Sequence, residues 1–283
     1  MTRPGDLWCL GDHRILCGNA RSEADIARLL DGQLVALVFT DPPYGVPING
    51  HVSSSGRHPE FHEGSGEMSS KQMEDFLAIT IGNAASILVV GGLVYIFMDW
   101  RHLDELSAAL KRCALEHIQT CVWAKEHPGM GSFYRSQHEH VYIARKPGAT
   151  HRNNIELGAH GRNRSNLWQF AGATGGRADD ADDFTVHPTV KPVKLIEEAI
   201  LDVTMAGETV FDPFLGSGST LLAAERTQRR CFGLEVSAVY VDLAIRRWQA
   251  MTGKAAVHAQ TGTPFDRLLQ QETEPEPPIE EDF

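Results

Sequence analysis

A chain of 283 residues with 42% hydrophobic composition can bury a sizeable core, and it is short enough for one α/β domain carrying a small inserted lobe. Its formal net charge of −11 argues against a uniformly basic nucleic-acid binder. No apolar run reaches the roughly 18 residues that span a bilayer, and MTRPGDLW lacks the apolar stretch of a secretory signal, so a cytoplasmic protein without membrane contact is expected.

Leu34 to Thr40 (LVALVFT) is a short continuous apolar run ending in Asp-Pro-Pro, the pattern of a parallel strand buried on both faces. Val46 to Ser70 is dense in Gly, Ser, Pro and His and reads as a long loop of the kind often used as a lid. Then follow a helix near Lys71 to Leu88, a strand at Gly92 to Met98, a helix near Leu103 to Cys113, and strands near Ile118 to Trp123 and His140 to Ala144. From Lys146 to His187 periodicity disappears, and an inserted lobe is expected there. Order resumes with a helix begun by Pro192, the strand Thr209 to Asp212, a glycine loop, a helix from Ser219 to about Gln228, the strand Arg230 to Glu235 and a helix from Ser237 to about Met251. The alternation predicts a mainly parallel sheet covered by helices. The division is then 1–145 and 188–265 as two halves of one domain, 146–187 as insertion and 266–283 as an acidic disordered tail.

Cys9, Cys17, Cys113, Cys121 and Cys231 form no C-x-x-C pair, so neither a disulfide framework nor a zinc site is expected, and no metal. The charge is unevenly spread. Glu272 to Phe283 holds six acids and no base, whereas Lys125 to Arg177 holds eight Lys/Arg against three acids. Arg135, Arg152, Arg162 and Arg164 in that basic window are candidates for phosphate or guanine contacts.

Asp41-Pro42-Pro43-Tyr44 suits chemistry on an exocyclic base amine, a poor nucleophile because its lone pair is delocalised into the ring. The Asp41 carboxylate can accept one N–H, and the turn at Pro42, which has no N–H and a fixed φ, offers a rigid carbonyl for the second. Tyr44 would stack on a base rotated out of the duplex. Phe211 to Thr220 (FDPFLGSGST) lies between a predicted strand and helix, and its two glycines let backbone approach a ligand over a helix N-terminus. It is not a P-loop, and Leu221 stands where a third glycine of a dinucleotide fingerprint would be. Glu235 ends the next strand, at the acidic position that accepts ribose hydroxyls in such folds.

Together these motifs resemble the amino-methyltransferases of DNA, and the order, catalytic motif first and cofactor motif last, is similar to their β group. The resemblance covers Trp8 to Trp248. It implies a Rossmann-like, mainly parallel seven-stranded sheet with helices on both faces and a small inserted recognition lobe. It also implies S-adenosyl-L-methionine as cofactor, double-stranded DNA as partner, and admits a homodimer. On the family pattern Asp212, Pro213, Phe214, Gly216, Ser217 and Gly218 would cradle the methionine part, with Asp41 beside it, and Glu235 and Val236 the ribose side. His187 to Pro192 matches an H-P-T-x-K-P stretch, placing Lys191 at the methionine end. Where the family has Gly-Asp near the adenine, this chain has Gly18-Asn19-Ala20. Phe133 to Lys146 resembles the strand with a His-Glu pair, and His138 and Glu139 are expected to make sheet-edge hydrogen bonds rather than take part in catalysis. Asp rather than Ser at position 41 tilts the target to adenine N6, with cytosine N4 as alternative. RNA or protein glutamine methylation fits the motif order less well. A degenerate, DNA-binding methyltransferase fold is the alternative of another class.

Overall fold

The structure, a computed structural model, describes residues 1–43, 68–129, 133–159, 163–172 and 191–268. A hairpin opens the chain, β1 (Leu7–Leu10) antiparallel to β2 (His13–Cys17). Ser22 then caps α1 (Glu23–Leu30) by accepting from Asp25 N, which satisfies one of the orphan donors of the first turn. The apolar run forms β3 (Val35–Thr40). Ser69 and Gln72 make a capping box that starts α2 (Ser70–Ser86), and β4 (Leu88–Met98) and α3 (Leu103–Arg112) follow. Next come β5 (Glu116–Ala124), β6 (His138–Arg145) and β7 (Leu167–Gln169). The last third alternates α4 (Val193–Val203), β8 (Thr209–Asp212), α5 (Ser219–Arg226), β9 (Arg230–Glu235), α6 (Ala238–Thr252) and β10 (Val257–His258).

The described strands form one sheet in the order β10-β1-β2-β9-β8-β3-β4-β6-β5-β7. This corrects the expected seven-stranded, mainly parallel sheet: ten strands pair, and only β2, β9, β8, β3 and β4 are mutually parallel in an unbroken run. The additions are the antiparallel β1–β2 hairpin with β10, and the three-residue β7, which is too short to show a period. Alternate residues serve two cores. Leu37 and Phe39, with Leu93, Tyr95 and Phe97, pack with α4, α5 and α6; Val38, with Val94, Ile96 and Met98, packs with α1, α2 and α3. That alternation is the pleat of a sheet buried on both faces.

Two features of the topology position the site. From β3 the chain moves outward to β4, whereas from β8 it moves the other way to β9, so the switch point lies between β3 and β8, paired at Leu37–Val210 and Val38–Phe211. A crevice at the carboxyl ends of strands is expected at such a point. In addition β6 runs antiparallel to β4, pairing His140 with Met98, so its first residues lie at the carboxyl edge of the parallel strands.

The segment after β6 runs along the opposite edge. Lys146 Nζ donates to the Leu88 carbonyl at 2.7 Å, and Asn154 Nδ2 to the carbonyls of Leu201 and Thr204 at 2.9 Å each. The described part of the expected recognition insertion is therefore partly a brace beneath the sheet. It returns toward the carboxyl edge only with β7, whose register places Gln169 beside Ala124.

Candidate active site

Each of the successive strands β9, β8 and β3 delivers a carboxylate to the carboxyl edge: Glu235, Asp212 and Asp41. Asp212 is buried. Its Oδ1 accepts from Phe214 N at 3.0 Å and its Oδ2 from Thr220 Oγ1 at 2.6 Å, which ties the two ends of the glycine loop together. Burial first, opposed by those two hydrogen bonds and reinforced by the charges of Asp41 and Glu235, pushes its carboxyl up to about 7. Glu235 accepts from Gly216 N through Oε2 and from Ser237 N through Oε1, both at 2.8 Å.

The glycine loop needs its glycines for different reasons. Gly216 (φ 53°) and Gly218 (φ 88°) both adopt the left-handed region. A Cβ on Gly216 would meet nothing within 4 Å among the described residues, so that face is open there. A Cβ on Gly218 would lie 2.8 Å from Ala244 Cβ, so Gly218 sets the contact with α6. Leu221, standing where a third glycine was sought, is fully buried in the core. Beneath the loop the buried Arg247 donates to Ser217 O at 2.7 Å and Ser217 Oγ at 2.9 Å, a support that sequence inspection did not find.

Asp41 leaves β3 half-buried, followed by the buried Pro42 and half-exposed Pro43. The buried Lys191 Nζ donates to Asp41 Oδ2 and lies 3.1 Å from Glu139 Oε2, while Lys125 Nζ donates to Glu139 Oε1 at 2.6 Å. Lys191 also lies 5.2 Å from the centroid of the Phe97 ring and 5.8 Å from that of Trp123. Burial would lower the Lys191 ammonium, but Asp41 and Glu139 overcome it and raise it. Burial would raise Glu139, but Lys191 and Lys125 overcome it and hold it down at about 2. The four side chains form an alternating, charge-balanced row, Asp41, Lys191, Glu139, Lys125.

Glu139 was expected to serve the sheet edge; instead it is the hub of that row. A signal was available, since Glu139 shares strand parity with the buried Val141 and Ile143, which places a carboxylate on the buried face. Lys125 carried no comparable signal.

The other predicted positions divide. Asn19 closes its own turn, its N donating to Asp25 Oδ2 and its Oδ1 accepting from Arg21 N, each at 2.9 Å. Gly18 N donates to Glu235 O at 3.0 Å, so Asn19 and the buried Ala20 follow a strand end next to Glu235, with Val236 exposed beside them. Pro213 and Phe214 follow Asp212, and Phe214 packs against Phe76 at 5.9 Å. Arg135 is exposed on the connection between β5 and β6. Arg164 is bound to Glu198 and, at 2.8 Å, to Asp202 of α4, and Arg152 pairs with Glu208 at 3.1 Å where β8 begins. Neither is brought to the carboxyl edge with Asp41. Tyr44, Arg162 and His187 to Val190 lie outside the described residues.

The carboxyl edge thus joins an acceptor at the end of β3 to a glycine loop lined by carboxylates at the end of β8. The profile of the N6/N4 DNA methylases matches residues 35–246, which include both. The chain belongs to that family. Among curated relatives of this N6/N4 methylase, the type II methyltransferase M2.DpnII of Streptococcus pneumoniae is 27% identical over 225 residues, 76% of this chain and 82% of that one. The type II methyltransferase M2.LlaDCHI of Lactococcus lactis subsp. cremoris is 25% identical over 238 residues, 79% and 87% of the two chains. Among solved structures, the cytosine-N4-specific PvuII DNA methyltransferase superposes with a TM-score of 0.63 at 17% identity, covering 86% of this chain and 89% of that one. The complex of M1.HpyAVI with SAM superposes at 0.57 with 21% identity, covering 82% and 98%. These structural likenesses concern the fold.

Proposed function

We propose that this DNA methylase transfers a methyl group to adenine N6 of a base rotated out of duplex DNA. The single observation that carries the reading is the meeting, at the β3/β8 switch point, of Asp41 with the loop that Asp212, Gly216 and Glu235 build. S-adenosyl-L-methionine supplies, when bound, an electrophilic methyl on a sulfonium. Its fit rests on charge: burial first, and then the charges of Asp41 and Glu235, raise the cost of ionising Asp212, which a cationic ligand relieves. The open face of Gly216 leaves room for that ligand against backbone.

The protein's own residues then act by placement. Asp41 accepts one N–H of the amine, and the turn at Pro42 offers a carbonyl for the other, so that the nitrogen lone pair turns out of the ring plane toward the methyl. Lys191, held by Glu139, fixes the plane of the Asp41 carboxylate through Oδ2. The new N–C bond forms as the S–C bond breaks, and the amine then loses one proton to solvent. No covalent bond to the enzyme is needed. Oriented acceptors and proximity supply the rate enhancement.

Cytosine N4 is the second reading, favoured by the likeness in fold to a cytosine-N4-specific enzyme. Both amines need the same two acceptors. The test is incubation of the protein with unmethylated duplex DNA and S-adenosyl-L-methionine, followed by mass spectrometry of the nucleosides. N6-methyladenine from the wild type, reduced at least about 100-fold in Asp41→Ala, is the expected result. N4-methylcytosine would keep the mechanism and replace the base; full activity in the variant would remove Asp41 from catalysis.

A further inference from the structure

The connection between β5 and β6 rises from the same edge as Asp41, and it is braced. Lys125 N donates to Gln137 O at 2.9 Å and Gly129 N to Ser136 O at 2.7 Å, extending the hairpin beyond the sheet. Arg135 ties the arm across itself, Nε to Gly129 O at 2.9 Å and Nη2 to Pro128 O at 3.0 Å. On this arm Phe133 is 87% exposed and Tyr134 81%, the most exposed large hydrophobic side chains among the described residues. Their rings meet edge to face, with centroids 4.4 Å apart. Among the described residues Arg135 beside them meets backbone carbonyls and no carboxylate. One strand nearer to Asp41, Trp100 is 55% exposed with the Arg101 guanidinium over its ring at 4.8 Å.

Two adjacent aromatic rings exposed to water are costly unless a partner covers them, and the hydrogen bonds that tie Lys125, Pro128 and Gly129 to Arg135, Ser136 and Gln137 reduce the ordering cost of meeting one. Their place decides the partner. Glu139, six residues beyond Phe133, reaches Asp41 through Lys191, so the arm rises from the sheet edge at which Asp41 stands. A base that leaves its stack leaves a gap, and flat apolar side chains fill such gaps by stacking on the neighbouring bases. A second copy of the chain is a poorer match. The exposed pair is two side chains followed by the polar Ser136 and Gln137, whereas a stable dimer draws on roughly 20–30 residues a side.

We infer that Phe133 and Tyr134 form a wedge that enters the DNA duplex beside the target base, with Arg135 placed for the adjoining phosphate. The inference rests on the reading that the substrate is duplex DNA. It is tested with the double variant Phe133→Ala/Tyr134→Ala on two oligonucleotide duplexes bearing a site mapped by methylation-sensitive sequencing. In one the target base is paired; in the other it faces an abasic position, so that it leaves the stack at little cost. The expected result is a kcat/KM reduced roughly 10- to 100-fold on the paired duplex and restored to within about threefold of wild type on the abasic one. An unchanged thermal shift with S-adenosyl-L-methionine controls for folding. Equal losses on both duplexes, no loss on either, or a change of oligomeric state on sedimentation would overturn the wedge. A wild-type protein that methylates neither duplex would overturn the underlying reading, and the wedge with it.

Discussion

Asp212 has a hydroxyl and a backbone N–H as donors, yet its carboxyl is pushed up to about 7 because burial and the nearby Asp41 and Glu235 outweigh them. The sign for folding follows from linkage. A carboxyl whose folded value is raised stabilises the empty protein below its ordinary value of about 4, and that contribution is lost as pH rises through about 7. The sign for binding is opposite. A cationic ligand favours the carboxylate, so S-adenosyl-L-methionine should bind more tightly as pH rises from about 5.5 to 7.5, with a limit of tenfold per unit for one proton. Calorimetry in two buffers of different ionisation enthalpy is expected to record proton release at pH 6.5, and Asp212→Asn to lose both the release and the slope. Affinity independent of pH in the wild type would show that Asp212 does not face the ligand's charge. This residue was legible in the sequence by its motif. Its protonation was not, because that depends on strand ends brought together by the sheet order.

At the scale of elements, β8 and β9 match their expected bounds residue for residue, Thr209–Asp212 and Arg230–Glu235, because short apolar runs between a helix stop and a glycine loop leave little freedom. β1, β2, β7 and β10 were not read from sequence. Strands of two to five residues carry almost no period, and their pairing is decided by partners far along the chain, as with Cys9 and Val257. The ion-pair partners of Arg152 and Arg164 were not legible for the same reason, since Glu208 and Glu198 lie 56 and 34 residues away. The glycine loop offers a test that separates fold from site within one element. Gly218→Ala places a methyl group 2.8 Å from Ala244 Cβ at φ 88°, so unfolding stability should fall by about 2–4 kcal/mol from strain and overpacking together. Gly216→Ala meets no described neighbour and suffers the left-handed strain, about 1–2 kcal/mol, but fills the open face. Urea unfolding and S-adenosyl-L-methionine titration of both variants should therefore rank them oppositely, Gly218→Ala worse in stability and Gly216→Ala worse in affinity per unit of stability lost. Equal affinity loss would mean that the crevice does not hold the ligand against Gly216.

For the whole molecule, one imidazole joins the amino-terminal hairpin to the carboxyl-terminal elements β9, α5 and α6. His13 Nδ1 accepts from Cys231 N at 2.9 Å, so the neutral ring carries its proton on Nε2 and donates to Glu225 Oε2 at 2.7 Å. Glu225 in turn accepts from Trp248 Nε1 at 3.0 Å and Lys254 Nζ at 3.1 Å, so β2, β9, α5 and α6 share one network. Burial lowers the His13 imidazole despite the pull of Glu225 in the other direction. The unfolded chain therefore takes up this proton first. The stability that His13 contributes is present above the ordinary imidazole value of about 6.5 and is lost as pH falls through the lower folded value, at a rate limited to about 1.4 kcal/mol per pH unit. His13→Gln keeps an acceptor and a donor but cannot titrate. It should cost about 1–2 kcal/mol at pH 7.5 from imperfect hydrogen bonds, yet show a shallower fall between pH 7.5 and 5.5 than the wild type in urea unfolding. Parallel slopes for the two proteins would place the acid sensitivity elsewhere among the 13 histidines. A shallower slope would mean that the junction of the hairpin with β9, α5 and α6 weakens in acid through His13, in the range over which Asp212 takes up its proton.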